Sequence, residues 1–281
     1  MSKYQGIIAL DLDGTLLNSN KELSNVNYAA LKRAYEANWA IVPTTGRFYD
    51  AMPKVIKELP FVEYVIVING AEVVDLKNHK TIYKAEIPNA QAIDIMTYLD
   101  QFPLIYDCFE GGAAFMTSTF KTKIDEMASN PHYRKMLREL RQDVNELKDY
   151  LISNGKDVQK IQFFTKYPRL RLDLMEDLPK HFNDLIISSS VIDNVEINHY
   201  RANKGDALLA LADYLNIDKT HTMAFGDGLN DVSMLKKANI GVVMANASDE
   251  VKILGDYITT SCDEDGVAKG IEKFILNKEG K

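Results

Sequence analysis

Gly6-Ile7-Ile8-Ala9-Leu10-Asp11-Leu12-Asp13-Gly14-Thr15 is the stretch that decides the fold. The run from Gly6 to Leu10 reads as a buried strand, and it delivers Asp11 and Asp13 to the strand's end, where Gly14 lets the chain turn away. In open α/β sheets such an end is where ligands bind. Two carboxylates this close repel one another, and desolvation adds to the cost unless a cation or a shared proton relieves it. The pair therefore predicts a metal site. A calcium loop needs further oxygen ligands at alternate positions and a closing glutamate, whereas Thr15-Leu16-Leu17 follows here.

Outward from this stretch the pattern repeats. Ser24 is placed to cap a helix running to Asn38, with Leu31, Ala34, Tyr35 and Asn38 at helical spacing. Ala40-Ile41-Val42-Pro43 is a short strand ending at Thr44-Thr45-Gly46-Arg47, a second helix runs to about Leu59, and Tyr64 to Ile68 is a third strand closed by Asn69-Gly70-Ala71. Apolar strands separated by helices indicate a parallel sheet covered on both faces. The alternation breaks near Ile87-Pro88 and resumes near Asn203-Lys204-Gly205. From there Asp206–Leu215 and Asp231–Ala238 read as helices, and Thr222–Phe225, Ile240–Met244 and Tyr257–Thr259 as strands.

The fold class is thus α/β, a Rossmann-like parallel-sheet core interrupted by an α+β insert. Residues 1–85 and 196–281 form the core and 86–195 the inserted domain, an arrangement tolerated when the ends of an insert lie close together. Within the insert, Asn89–Phe102 reads as a helix, Leu104–Tyr106 and Ala114–Met116 as a hairpin around Gly111-Gly112, and 121–154 as mostly helical. Ile161–Thr165, Leu185–Ser190 and Val195–Ile197 are further strands. Lys121, Lys123, Arg134, Lys135, Arg138 and Arg141 read as a solvated helix face, with a contact to an anionic substrate as the alternative.

A chain of 281 residues with 46% hydrophobic composition can bury a full core. Its net charge of -7 argues against a binder of nucleic-acid backbones. Cys108 and Cys262 are too few and too far apart for a disulfide framework or a metal-ligand spacing, which favours a reducing cytoplasm. The first strand begins almost at Met1, leaving no room for a secretory leader. No apolar stretch approaches the roughly 20 residues needed to span a bilayer.

Four separated elements point to one kind of ligand. Asp11 and Asp13 end the first strand, Thr45 and Gly46 the second, Lys204 opens a helix, and Gly226-Asp227-Gly228-Leu229-Asn230-Asp231 follows a later strand. Loops that follow parallel strands share one edge of the sheet. Carboxylates there bind Mg²⁺ through oxygen, while a hydroxyl, a backbone amide, an amide side chain and an ammonium converge on an anion. The combination describes a phosphoryl-transfer site.

In this order the motifs resemble those of the haloacid dehalogenase superfamily, and within it the Cof-type (subfamily IIB) sugar phosphatases with a large inserted cap. Asn69-Gly70-Ala71, Met244-Ala245-Asn246-Ala247 and Asp265-Gly266-Val267-Ala268 are similar to further segments of that group, which often has glycine at the position of Ala245. The resemblance implies a cytoplasmic Mg²⁺-dependent phosphatase acting on a small phosphorylated metabolite, a sugar phosphate above all. It implies that Asp11 is the nucleophile and Asp13 the acid/base, and that Asp11, the main-chain carbonyl of Asp13 and Asp227 hold Mg²⁺. Leu12 through its amide, Thr45, Gly46, Lys204 and Asn230 then hold the phosphoryl group, and Asp231 orients Lys204 or a metal-bound water. To act as an acid near neutrality Asp13 needs a pKa above the ordinary value of about 3.9. A phosphomutase with the same site and a non-catalytic sensor of a phosphorylated ligand are the rival readings. The chain is compatible with a homodimer.

Overall fold

The computed structural model describes residues 3–189 and 191–278. The strands run β1 (Gly6–Leu10), β2 (Trp39–Pro43), β3 (Tyr64–Val67), β4 (Glu72–Asp75) and β5 (Lys80–Lys84). The middle of the chain adds β6 (Ile105–Glu110), β7 (Ala113–Thr117), β8 (Gln142–Val144), β9 (Lys160–Phe164), β10 (Leu185–Ser188) and β11 (Asn194–His199). The chain then returns through β12 (Thr222–Gly226), β13 (Ile240–Val243) and β14 (Tyr257–Ile258). It folds as two compact units, one of residues 1–47, 52–84 and 203–281, the other of residues 48–51 and 85–202. The expected boundary at 195/196 falls inside β11, which lies wholly in the second unit.

In the first unit a parallel sheet has the order β14-β13-β12-β1-β2. Every residue of β1 and β12 is buried, as expected of central strands covered on both faces. Ser24 caps the helix Asn25–Glu36 by accepting from the Asn27 amide, as its position in the sequence predicts. The second expected helix is cut down to Lys54–Lys57 after a single turn at Tyr49–Ala51, because Pro53 sits extended at the helix start with no N–H to continue the ladder.

The expected third strand of the parallel sheet is instead the first strand of an antiparallel one, β3-β4-β5. A left-handed turn at Ile68-Asn69-Gly70 reverses the chain there, and β3 meets the segment after β2 at an isolated parallel bridge between Thr44 and Ile66.

In the second unit a six-stranded sheet has the order β10-β11-β9-β6-β7-β8, antiparallel except for β7 with β8. Gly111 and Gly112 turn β6 into β7 with positive φ. Tyr106, Cys108, Ile161, Phe163, Val195 and Ile197 alternate along their strands and pack with the helices Asn89–Leu99 and Pro168–His181 in one apolar cluster. The latter helix is absent from the sequence reading; Pro168 suits its first turn, and Pro179 lies inside it near the end, where one helix N–H is missing. Ser190, at the end of the expected strand from Leu185, lies outside the described residues. Arg141 is not on a solvated face: it is buried and its Nε donates to Asp107 Oδ2 at 2.6 Å. No described helix is long and apolar enough to cross a membrane.

Candidate functional site

Because β1, β2 and β12 are parallel, the loops that leave them emerge on one edge of the sheet. Asp11 continues the ladder past β1, its amide donating to the Phe225 carbonyl at 3.0 Å. Gly14 turns away with φ 90°, and a Cβ there would lie 2.5 Å from Asp227 Oδ2, so this glycine is required both by its backbone and by close approach. Thr15 then donates its hydroxyl to Asp227 Oδ1 at 2.7 Å, tying the loop after β1 to the loop after β12.

Lys204 is the first residue of the helix Lys204–Leu215, which Asn203 caps by accepting from the Asp206 amide at 2.9 Å. A Cβ on Gly205 would lie 2.4 Å from the Ser233 carbonyl oxygen, and this close approach seats the helix against Val232–Lys237. A lysine opening a helix is ordinarily a surface residue, but this one is fully buried. Its Nζ donates to Asp11 Oδ1 and to Asp231 Oδ1, each at 2.5 Å. The other oxygen of Asp231 accepts from the amides of Asp227 and Gly228, each at 2.9 Å. Both oxygens of Asp231 are therefore engaged by donors of this chain, and the residue fixes Lys204 and the loop together.

Asp11, Asp227 and Asp231 bring carboxylate oxygens within 4.8 Å of one another. Burial, and then the charge of Asp231, drive the Asp11 pKa upward against the pull of Lys204. Asp227 is likewise raised by burial and by Asp231, with the Thr15 hydrogen bond opposing. Lys204 is raised, since its two carboxylate partners outweigh its own burial. Two buried carboxylates thus share one ammonium with a third, half-buried carboxylate beside them, an imbalance that a divalent cation on oxygen ligands offsets, so the donor set fits a metal ion.

Asp13 stands apart from this cluster. Its oxygens are gripped by Arg47, whose Nε lies 2.9 Å from Oδ2 and whose Nη2 lies 3.0 Å from Oδ1, while Lys21 Nζ lies 3.0 Å from Oδ1. Burial pushes its pKa up, but the Arg47 and Lys21 contacts outweigh that, and the carboxyl is held below its usual value. The expectation of a raised Asp13 is therefore corrected: a bidentate guanidinium stabilises the ionised form.

Leu12 has a fully buried side chain and turns with the loop, its carbonyl accepting from the Leu17 amide at 2.9 Å. The Thr45 amide donates to Ile66 and the Thr45 carbonyl accepts from the Asn69 amide, at 2.9 and 3.0 Å. Asn230 donates through Nδ2 to Asn69 Oδ1 at 3.3 Å, and the place where a Gly46 Cβ would be lies 2.7 Å from the same oxygen. The site thus contains groups that the sequence reading left without a role: Lys21, Arg47, Asn69 and Asn246. The last donates to the Gly14 carbonyl at 2.8 Å and to Asp227 Oδ2 at 3.3 Å. Arg47, Asn69 and Asn246 stand inside or beside the quoted motifs, which was the available signal; Lys21 has none.

A parallel sheet carrying this acidic cluster on its carboxyl edge defines the class. The chain belongs to the haloacid dehalogenase-like hydrolase family, whose model matches residues 8–271. It is 32% identical to phosphatase YwpJ of Bacillus subtilis (strain 168), over 96% of this chain and 99% of that protein. It is 30% identical to the 5-amino-6-(5-phospho-D-ribitylamino)uracil phosphatase YcsE of the same organism, over 96% of each. Among solved structures, a haloacid dehalogenase-like hydrolase from B. subtilis superposes with a TM-score of 0.82 at 29% identity, covering 96% of this chain and all of that one.

Proposed function

We propose that this chain is a Mg²⁺-dependent phosphatase of small phosphorylated metabolites, acting through an aspartyl-phosphate on Asp11. The observation that carries the reading is the buried bridge from Asp11 through Lys204 to Asp231, beside Asp227: a nucleophile-bearing carboxylate, an ammonium for phosphoryl oxygens and an acidic cluster in one place. Asp11, the main-chain carbonyl of Asp13 and Asp227 are the groups that would hold Mg²⁺. Its charge supplies electrostatic stabilisation of the transferring phosphoryl group.

In the first step an Asp11 oxygen forms a bond to phosphorus as the bond to the leaving oxygen breaks, and Asp13 gives that oxygen a proton. In the second, water attacks phosphorus, Asp13 takes the water's proton, and the Asp11 oxygen leaves. Lys204, the Asn230 amide, Thr45, Gly46 and the Leu12 amide hold the phosphoryl oxygens in both. With Arg47 and Lys21 bound, Asp13 is ionised, the form the second step uses; the first step requires its protonation and so the opening of that grip.

A sugar-like substrate is supported by the relative named for a phosphoribityl compound. The inserted residues 85–202 are proposed as the cap that selects the leaving group. Cys108 and Cys262 are both buried and unbridged, which suits a cytoplasmic protein. A panel of phosphorylated sugars, polyols, nucleotides and cofactors, scored by inorganic phosphate with Mg²⁺ and with chelator, tests the reading. Mg²⁺-dependent release from a sugar or polyol phosphate is expected. Transfer to a second hydroxyl without free phosphate would make the chain a mutase, and binding without turnover a sensor.

A further inference from the structure

Ile68, Asn69 and Gly70 have φ values of 52°, 55° and 93°, three left-handed residues in succession. A β-branched residue in that region is a genuine outlier, so the turn persists because its surroundings hold it. They do so on three sides. The amides of Ile68 and Asn69 donate to the carbonyls of Arg47 and Thr45 at 2.9 and 3.0 Å, which joins the turn to the loop after β2. A Cβ on Gly70 would lie 2.4 Å from the Asn203 carbonyl and 2.8 Å from the Lys204 amide nitrogen, so the turn abuts the start of the Lys204 helix. Asn69 Oδ1 accepts from Asn230 Nδ2 at 3.3 Å, which reaches the loop after β12.

One turn therefore touches every loop from which a phosphoryl-binding group is drawn, apart from the loop after β1. We propose that Asn69 is a positioning residue for the anion pocket: it orients the Asn230 amide and sets the spacing of Gly46 from that amide. The inference rests on the phosphatase reading. Asparagine answers two demands at this position, since it tolerates the left-handed backbone and also carries an acceptor. A side-chain amide has two N–H hydrogens, so one directed at Asn69 leaves the other for a phosphoryl oxygen. Asn230 is exposed, and ordering it in advance lowers what anion binding must spend in side-chain freedom.

The test is Asn69→Gly, which keeps the left-handed backbone available and removes the amide. Calorimetric binding of inorganic phosphate in the presence of Mg²⁺ is measured together with kcat and KM on an aryl phosphate. Loss of one neutral hydrogen bond's worth of ordering predicts a phosphate Kd and a KM raised together by about 3- to 10-fold. The kcat should change by less than about 3-fold, because a phosphoryl oxygen held equally in ground and transition states affects binding alone. Asn230→Ala, which removes the amide itself, should weaken phosphate binding at least as much, and the double variant should be no worse than Asn230→Ala alone. A residue that acted only on overall stability would not give this split or this lack of additivity.

Unchanged phosphate affinity in a folded Asn69→Gly protein, or effects that multiply with Asn230→Ala, would overturn the proposal. Should Asn69→Gly not fold, Gly46→Ala, whose Cβ intrudes on the same Asn69 oxygen, must weaken phosphate binding without multiplying with Asn230→Ala; unaltered binding there would equally overturn it. A wild-type chain that neither binds phosphate nor cleaves the ester would instead overturn the phosphatase reading itself.

Discussion

Asp231→Asn separates a residue that orients Lys204 from one that binds metal directly. Asparagine retains one acceptor oxygen, which the amides of Asp227 and Gly228 occupy from 2.9 Å, and its NH₂ then replaces the oxygen that stands 2.5 Å from Lys204 Nζ. Two donors face each other there, and one charge-assisted hydrogen bond is lost, an effect of about 1.5–3 kcal/mol. Lys204 keeps Asp11 as partner, so the cost stops short of a fully uncompensated buried charge. At about 2–4 °C per kcal/mol for a chain of this size, Tm should fall by about 3–12 °C. If the same energy is lost from phosphoryl positioning, kcat/KM should fall by about 10- to 100-fold, as for partners that orient a metal site's groups. Metal affinity should shift by less than about 3-fold, since both Asp231 oxygens are already engaged by this chain. Thermal denaturation, steady-state kinetics on an aryl phosphate and Mg²⁺ titration calorimetry read the three quantities. Unchanged Tm and kcat/KM would refute the orienting role, and a collapse of Mg²⁺ affinity with activity recovered at high Mg²⁺ would make Asp231 a direct ligand.

Further perturbations probe the rest of the site. Asp13→Asn should slow cleavage of alkyl phosphates by about 10²- to 10⁴-fold while leaving Mg²⁺ affinity nearly intact; loss of Mg²⁺ binding would assign its carboxylate to the metal. The raised pKa values of Asp11 and Asp227 mean that protons compete with a cation for these oxygens. Apparent Mg²⁺ affinity should therefore fall as pH falls from about 8 to 6, by up to about tenfold per unit for each proton displaced, with proton release on binding seen by calorimetry in two buffers. Affinity that is flat over that range contradicts the shared-carboxylate picture. Replacing residues 85–202 by a short linker in a core verified as folded by circular dichroism should cost a sugar phosphate at least about tenfold more in kcat/KM than an activated aryl phosphate, and equal losses would remove leaving-group selection from the insert.

Much of this was legible in the chain because its signals are local. The apolar run before Asp11, the Ser24 cap and the paired glycines 111 and 112 each determine a strand, a helix start or a turn by short-range chemistry, and the structure has them where the residues predict. Long-range facts were not legible. The sheet membership of β3 depends on the left-handed turn at Ile68-Asn69-Gly70, and nothing in an apolar strand says which neighbour it will pair with. The burial of Lys204 and Arg141 depends on partners 27 and 34 residues distant, so side chains that look like surface charges in sequence become ion pairs inside the fold. The grip of Arg47 and Lys21 on Asp13 is of the same kind, and it reversed the direction expected for that carboxyl. Motif spacing identifies which residues meet, but not which state they hold when they do.

The stereochemical course at phosphorus is the most direct test of the aspartyl-phosphate on Asp11. A thiophosphate ester made chiral with oxygen isotopes is hydrolysed in isotopically labelled water, and the configuration of the released thiophosphate is read by ³¹P NMR. Two in-line displacements, first by Asp11 and then by water, each invert the centre, so the account predicts net retention. Net inversion would mean that water attacks the substrate directly, and it would contradict the assignment of Asp11 as nucleophile.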